Sequence, residues 1–508
     1  MSRKKFFLTG LASGYLLIGM NFLFTFFSVP LVLRYLSQSE FGVWALVAQF
    51  AGYLLLIDLG VSASVSRLLA DHKDRKDSPQ YSRVFFASFL VSGIQGLVLL
   101  GLGVLAAWFA PMLANIPADL RPVFSRLLLG YVAVTAVCLA FRSLASPLWS
   151  HQRLDICNLG NTAGLFLNLI GLWAGMHAGL GLYGLLVGTV VGALPGLVIP
   201  FLACRHYGYY PRWPEGWHFQ RAHFRELFLF SRDIFIFQCG SQLASATQMI
   251  LVSRFLSVES AALWAIGTKA FTLGQQLGHR ILDASAGALT EMFVRSERAR
   301  FLARFQDVVQ ITAWLCAVMG LAMVFLNTPF VFWWTGGKIL WPSPDNTWLA
   351  FLLFSTGIAR CHLGLGGITK EMSTFRWLQI AEALVMIGLG IFFIPRLGIA
   401  GILAASLLAN TGVSLVASTM LNSRRLAVPL AHSLSWLWPA LGFLALGCGA
   451  AWIWGASAWG QMHAWGAWAA RLFFLVLLAA VSFRFCLRPG IRQELLRVVG
   501  RRTRSPAP

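Results

Sequence analysis

Leu33–Leu46 reads LRYLSQSEFGVWAL, and Ser253–Ile266 reads SRFLSVESAALWAI. Aligned without gaps at an offset of 220, Arg34 meets Arg254, Leu36 meets Leu256, Ser37 meets Ser257, Trp44 meets Trp264 and Ala45 meets Ala265. Tyr35 against Phe255 and Leu46 against Ile266 are conservative pairs. A second match sets Gly181-Leu-Tyr-Gly184 against Gly398-Ile-Ala-Gly401 at an offset of 217. Two separate matches that keep nearly one offset mark an internal repeat.

What repeats is apolar. Only 12% of the 508 residues are charged, against about 25% in a typical soluble domain, and the mean hydropathy is +0.70. The apolar residues fall in blocks of about twenty, the length that crosses about 30 Å of hydrocarbon. The blocks lie near 11–35, 42–68, 84–110, 123–148, 157–177 and 181–203, then near 230–255, 261–292, 307–334, 347–368, 377–395 and 399–421. Two more follow near 435–456 and 464–485. The longest polar stretch, about 205–232, is too short to bury a core of its own. These observations predict an all-α polytopic membrane protein with about 14 transmembrane helices. The offset joins spans one to six with spans seven to twelve. Six is even, so the halves are parallel repeats about an axis along the membrane normal. The expected organisation is an N-terminal six-helix lobe (1–220), a C-terminal six-helix lobe (221–425), and two extra C-terminal helices with a basic tail (426–508).

The net charge is +21, which in a soluble chain would suggest nucleic acid. Its placement argues against that reading. One side of the predicted membrane collects Arg3, Lys4, Lys5, Lys73, Arg75, Lys76, Arg83 and Arg153. The same side receives Arg205, Arg212, Arg221, Arg225, Arg232, Arg295, Arg298, Arg300, Arg304, Lys370, Arg376, Arg424, Arg425 and a run from Arg484 to Arg504. The other side holds chiefly Arg121, Lys338, Arg396 and Arg471. The positive-inside bias makes the first side cytoplasmic, with both termini there. No small-residue cleavage site follows the basic start, so the first block reads as a span and not a signal peptide. The eight cysteines lie mostly inside apolar blocks without a C-x-x-C pair, and no metal or disulfide framework is expected. Segment Ile491–Arg502 has the pattern of a basic amphipathic helix, or of a solvated tail.

The run PLVLRYLSQSEFGVWALV, followed by LLLIDLGVSASVSR, resembles the N-terminus of bacterial polysaccharide (O-antigen-type) flippases of the multidrug, oligosaccharidyl-lipid and polysaccharide exporter superfamily. The resemblance rests on the leucine-rich approach to Phe41-Gly42, on Asp58-Leu59-Gly60, and on the paired G-x-x-G openings of spans six and twelve. It implies a bacterial inner-membrane transporter with no cofactor. The implied cargo is a polyprenyl-pyrophosphate-linked oligosaccharide moved from the inner to the outer leaflet for cell-surface polysaccharide biosynthesis. The implied partners are that lipid and the surrounding membrane lipids, with a coupling cation, proton or sodium, left open.

Ionisable residues deep in apolar blocks are the candidate site, because charges facing lipid cost at least a few kcal/mol each. Four are basic: Arg142, Lys269, Arg280 and Arg360. Arg142 and Arg360 are 218 residues apart, close to the repeat offset, and are expected to point toward the space between the lobes. Lys269, Gln276, Arg280 and Asp283 are spaced by seven, four and three, which places them on one helix face. That face reads as the lining of a cationic cavity for a pyrophosphate, with Asp283 balancing charge; the plainer alternative is an Arg280–Asp283 pair along the helix. Asp58 reads either as a carboxylate that binds a coupling ion or an arginine, or as a helix cap before Gly60. Arg34 and Arg254 are expected to snorkel at span ends. Glu291 and Glu382 are expected to be solvated, and His362 to be packed or hydrogen-bonded. Trp333, Trp334, Trp341 and Trp348 are expected to form an interfacial aromatic belt.

Alternatives within the superfamily are a lipid II-type flippase and a cation-coupled multidrug exporter. The exporter would want a carboxylate-rich cavity, whereas the intramembrane cations here at least match the anions. A membrane-embedded polymerase or ligase ranks lower. Its catalytic groups would sit in a large outer loop, and Thr335–Asn346 offers little beyond Lys338 and Asp345. No catalytic residue is expected.

Overall fold

Two serines at repeat-related places start the second helix of each half. Ser37 Oγ and its amide donate to Glu40 Oε2 at 2.9 and 2.8 Å, and the Glu40 amide returns a bond to Ser37 Oγ at 3.3 Å. This is a capping box, which satisfies amides that a helix start leaves open. Ser257 Oγ accepts the Ser260 amide at 3.1 Å in the corresponding place. The paired glycines behave alike as well. Gly181 (φ 53°, ψ −131°) and Gly398 (φ 61°, ψ −134°) precede spans six and twelve in a conformation that L side chains avoid. Three residues on, a Cβ at Gly184 would lie 3.0 Å from the Gly175 carbonyl carbon, and one at Gly401 would lie 2.5 Å from Phe393 O. The first glycine of each motif turns the chain, and the second lets the new span cross the old one closely.

The computed structural model describes residues 3–58, 65, 69, 79–211, 221–369, 372–456 and 465–502. Leu59, Gly60, Lys73, Arg75, Lys76, Arg212, Lys370 and Arg504 lie outside the described residues, as do the side chains of Arg3, Lys4, Lys5, Arg221, Arg225 and Arg232. Among the described residues every regular element is helical. Eleven helices among the described residues are long and apolar enough to cross a membrane. Three further segments, read as spans, bring the number to about fourteen: Arg221–Phe255 as span seven, Val258–Gly267 with Lys269–Val294 as span eight, and Trp438–Ala456 as span thirteen. Span seven is less apolar because it carries Gln238, Ser241, Gln242, Ser245, Thr247 and Gln248. The C-terminal basic segment is helical over Pro489–Arg502.

Several spans are broken, each for a local reason. In span four the helix Arg121–Phe141 gives way to a 3-10 turn, Arg142–Ala145, and then to Ser146–Ser150. Pro147 has no amide for the Ser143 carbonyl and its ring crowds that group, so regular helix cannot continue. In span two the helix Gln38–Leu54 tightens into a 3-10 turn, Leu55–Asp58, where Gln95 Nε2 donates to Ile57 O at 2.8 Å and Asp58 O at 3.1 Å. Span eight, expected as one block, breaks at Thr268. There Asn327 Nδ2 takes the Gly267 carbonyl at 3.0 Å and Asn346 Oδ1 at 2.9 Å. The Trp341 ring lies so close over Gly267 that a Cβ there would sit 1.7 Å from it. Span twelve carries a π turn, Asn410–Leu415, between Ile399–Ala409 and Val416–Arg425.

The chain forms two compact units. The first comprises residues 1–242 with 253–262, and the second 243–252 with 263–508. Segment 253–262 is held in the first unit by Ser253 Oγ donating to Ala114 O at 2.7 Å and Gln38 Nε2 donating to Glu259 O at 3.0 Å. Arg254, expected to snorkel, donates to Met112 O at 2.9 Å. The second unit has its core on spans nine, ten and thirteen, where Ala313, Ala317, Leu321, Ile358 and Leu444 are fully buried. The tryptophan belt needs correction. Trp341 is 0% exposed and Trp334 is also buried, so both pack inside the second unit; only Trp333 and Trp348 are exposed.

Candidate functional site

The helix breaks carry the charges. Asp58 closes the 3-10 turn of span two, and Arg142 opens the 3-10 turn of span four. Their side chains form an ion pair within the first unit, through Arg142 Nη2 and Asp58 Oδ1. Each is about one-third exposed (35% and 28%). Asp58 thus meets an arginine, while the cap reading falls on Leu59 and Gly60, outside the described residues. In the second unit Arg360 Nη2 donates to Asp283 Oδ1 at 3.2 Å, joining span ten to span eight. The helical Arg280–Asp283 pair is therefore not formed; Asp283 turns to Arg360 instead.

That leaves span eight with cations to spare. Lys269 is the first residue after the break, and Gln276 and Arg280 follow on the same helix, both exposed. Among the described residues none of the three has a hydrogen-bond or ion-pair partner. An unpartnered guanidinium within an apolar span demands water or an anion, because lipid offers it neither. His279, one residue before Arg280, has its Nε2 buried without a partner. Sequence reasoning passed over it by following the cations alone, although its i, i+4 spacing to Asp283 was the available signal.

Glu382 corrects a second expectation. It is buried, not solvated. Its Oε1 accepts Asn410 Nδ2 at 2.9 Å, and its Oε2 accepts Gln379 Nε2 at 2.8 Å and the Ser414 hydroxyl. Ser355 Oγ extends the network by donating to Asn410 Oδ1 at 2.8 Å. Asn410 and Ser414 lie on the π turn of span twelve, a geometry frequent at functional sites. The carboxylate is held by neutral donors; no basic side chain reaches it among the described residues. Glu291, by contrast, is exposed and pairs with Arg295 at 2.6 Å. His362 is buried, with Asn422 Nδ2 on its carbonyl at 2.8 Å.

About fourteen helical spans, twelve of them in two six-span halves, interrupted where charged and amide side chains lie, define a polytopic membrane protein of the transporter type. Residues 7–285, more than half of the chain, match the family described as polysaccharide biosynthesis protein, and the chain belongs to that family. Solved structures share the fold. The lipid II flippase MurJ in an inward closed conformation is 16% identical, with a TM-score of 0.66 over 94% of this chain and 98% of that one. An inward-facing multidrug resistance MATE family transporter of the MOP superfamily is 12% identical, with a TM-score of 0.65 over 80% and 94%. A MOP superfamily transporter from Pyrococcus furiosus, described by the reversed polarity of its binding pocket, is 13% identical, with a TM-score of 0.58 over 84% and 96%. No curated protein matches the sequence.

Proposed function

We propose that the protein is a flippase of the bacterial inner membrane, with both termini cytoplasmic. It moves a polyprenyl-pyrophosphate-linked oligosaccharide from the inner to the outer leaflet by alternating access. The observation that carries this reading is the charge left over after pairing. Arg142 and Arg360 are neutralised by Asp58 and Asp283, whereas Lys269 and Arg280 on span eight are not. Among the described residues these two cations are unpaired, and Arg280, one turn from the neutral amide of Gln276, suits a pyrophosphate, to which guanidinium offers forked, charge-assisted hydrogen bonds. A cationic drug would be repelled there. The polyprenyl tail stays in lipid, and translocation makes or breaks no covalent bond, so no enzyme activity is required.

Coupling to a cation, proton or sodium, is placed at Glu382 in preference to Asp58 or Asp283. Both aspartates already hold an arginine, while Glu382 is a buried carboxylate whose partners are all neutral. A lipid II-type cargo is a second reading, favoured by the coverage of the MurJ likeness. It presents the same pyrophosphate.

The test is leaflet exchange in proteoliposomes loaded with fluorescent lipids. Polyprenyl-pyrophosphoryl oligosaccharide should cross faster than in protein-free vesicles, and a lipophilic cationic dye should not. Faster exchange of lipid II than of any other oligosaccharide lipid would establish the second reading. Transport of the dye alone would overturn both.

A further inference from the structure

A cavity of about 520 Å³ opens within the first unit between spans one, four, five and six. That lies inside the roughly 300–1,000 Å³ range of small-ligand sites. Its polar lining is Asn21 from span one, Arg142 from span four, and Asn161 and Asn168 from span five. The two span-five asparagines are seven residues apart and so share a helix face.

Carboxamides inside apolar spans ordinarily bond across to a neighbouring helix. Asn158, on the same helix, does so: its Nδ2 reaches Ser13 Oγ at 3.0 Å and Gly10 O at 3.4 Å on span one. Among the described residues Asn21, Asn161 and Asn168 make no such bond, although all three border the cavity. Span six shapes this wall with glycine. A Cβ at Gly192 would lie 2.6 Å from Asn168 Cβ, and one at Gly188 would lie 2.8 Å from Asn168 Oδ1. A side chain at either position would displace that carboxamide. The glycines thus hold room for amide groups that the protein itself leaves unbonded.

The cavity's polar groups sit on a largely apolar wall and carry no net charge, because Arg142 is matched by Asp58 among the described residues. An anion gains little in such a site. Each carboxamide offers two donors and an acceptor, which is the complement of a hydroxyl or acetamido group. We infer that this cavity is a subsite for a sugar of the cargo glycan, recognising hydroxyl or acetamido groups through Asn21, Asn161 and Asn168. The inference rests on the flippase reading and gives the cargo's neutral part its own contacts.

The experiment compares two lipids on the purified full-length protein: polyprenyl pyrophosphate, and the same lipid bearing one N-acetylglucosamine. Binding of each is measured for the wild type, for Asn161→Ala with Asn168→Ala, and for the milder Asn161→Ser with Asn168→Ser. Melting temperature in the same detergent confirms folding. The expected result is at least a tenfold loss of affinity for the sugar-bearing lipid in the alanine variant and a smaller loss in the serine variant. Affinity for the bare lipid should stay within twofold. Equal losses for both lipids, or none for either, would overturn the sugar subsite while leaving the flippase reading intact. Failure of the wild type to bind either lipid would remove the flippase reading, and the subsite with it.

Discussion

Arg142 and Arg360, 218 residues apart, hold equivalent positions in the two halves, and each pairs with a carboxylate from the second span of its own half. Asp58 serves the first and Asp283 the second. Each pair ties two spans together and cancels a charge that the membrane would otherwise penalise.

Removing one partner should therefore cost more than removing both. Arg142→Ala takes the cation away from Asp58, and Asp58→Ala takes the carboxylate away from Arg142, whereas the double variant removes both charges together. In a double-mutant cycle read from thermal unfolding in detergent, the coupling should be about 0.5–3 kcal/mol. Arg360 and Asp283 should behave alike, with a smaller coupling because that pair is longer and more exposed. Simple additivity would mean that the pairs contribute nothing to the fold.

The glycines that open spans six and twelve should respond as a matched pair. Gly181→Ala and Gly398→Ala each force a side chain into a sparsely populated backbone region, at about 1–3 kcal/mol. Gly388→Ala, in a helix with open space around it, should be neutral or mildly stabilising. Equal effects at all three positions would contradict the backbone argument.

Glu382 should link transport to a cation gradient. With an imposed proton or sodium gradient, flipping by the wild type is expected to accelerate several-fold. Glu382→Gln keeps the shape and most of the hydrogen bonds but cannot ionise, and should flip at one rate with or without the gradient. An undiminished response in that variant would place coupling elsewhere.

The spans and their repeat were legible because both are written in composition and spacing. Twenty-residue apolar blocks answer to membrane thickness, and serine and glycine at nearly one offset answer to the same cap and the same turn in each half. The pairings were not legible. Asp58 and Arg142 are 84 residues apart, and Asp283 prefers Arg360 over Arg280, its helical neighbour, because the packing of span ten against span eight decides the geometry. Glu382 misled by lying toward a span end, while its burial comes from amides and a hydroxyl on spans eleven and twelve. Trp341 has the composition of an interfacial residue, yet it fills the space that Gly267 leaves open at the break of span eight. In each case a contact distant in sequence outweighed local pattern.

Those contacts also sharpen the site. Among the described residues the four intramembrane cations reduce to two without a partner, Lys269 and Arg280. The most direct measurement is the leaflet-exchange rate of a fluorescent polyprenyl-pyrophosphoryl oligosaccharide in proteoliposomes containing wild type, Arg280→Ala or Arg280→Lys. The account predicts at least a tenfold slower rate for Arg280→Ala, with partial recovery in Arg280→Lys, which keeps the charge but loses the fork. Exchange by Arg280→Ala at the wild-type rate would contradict it.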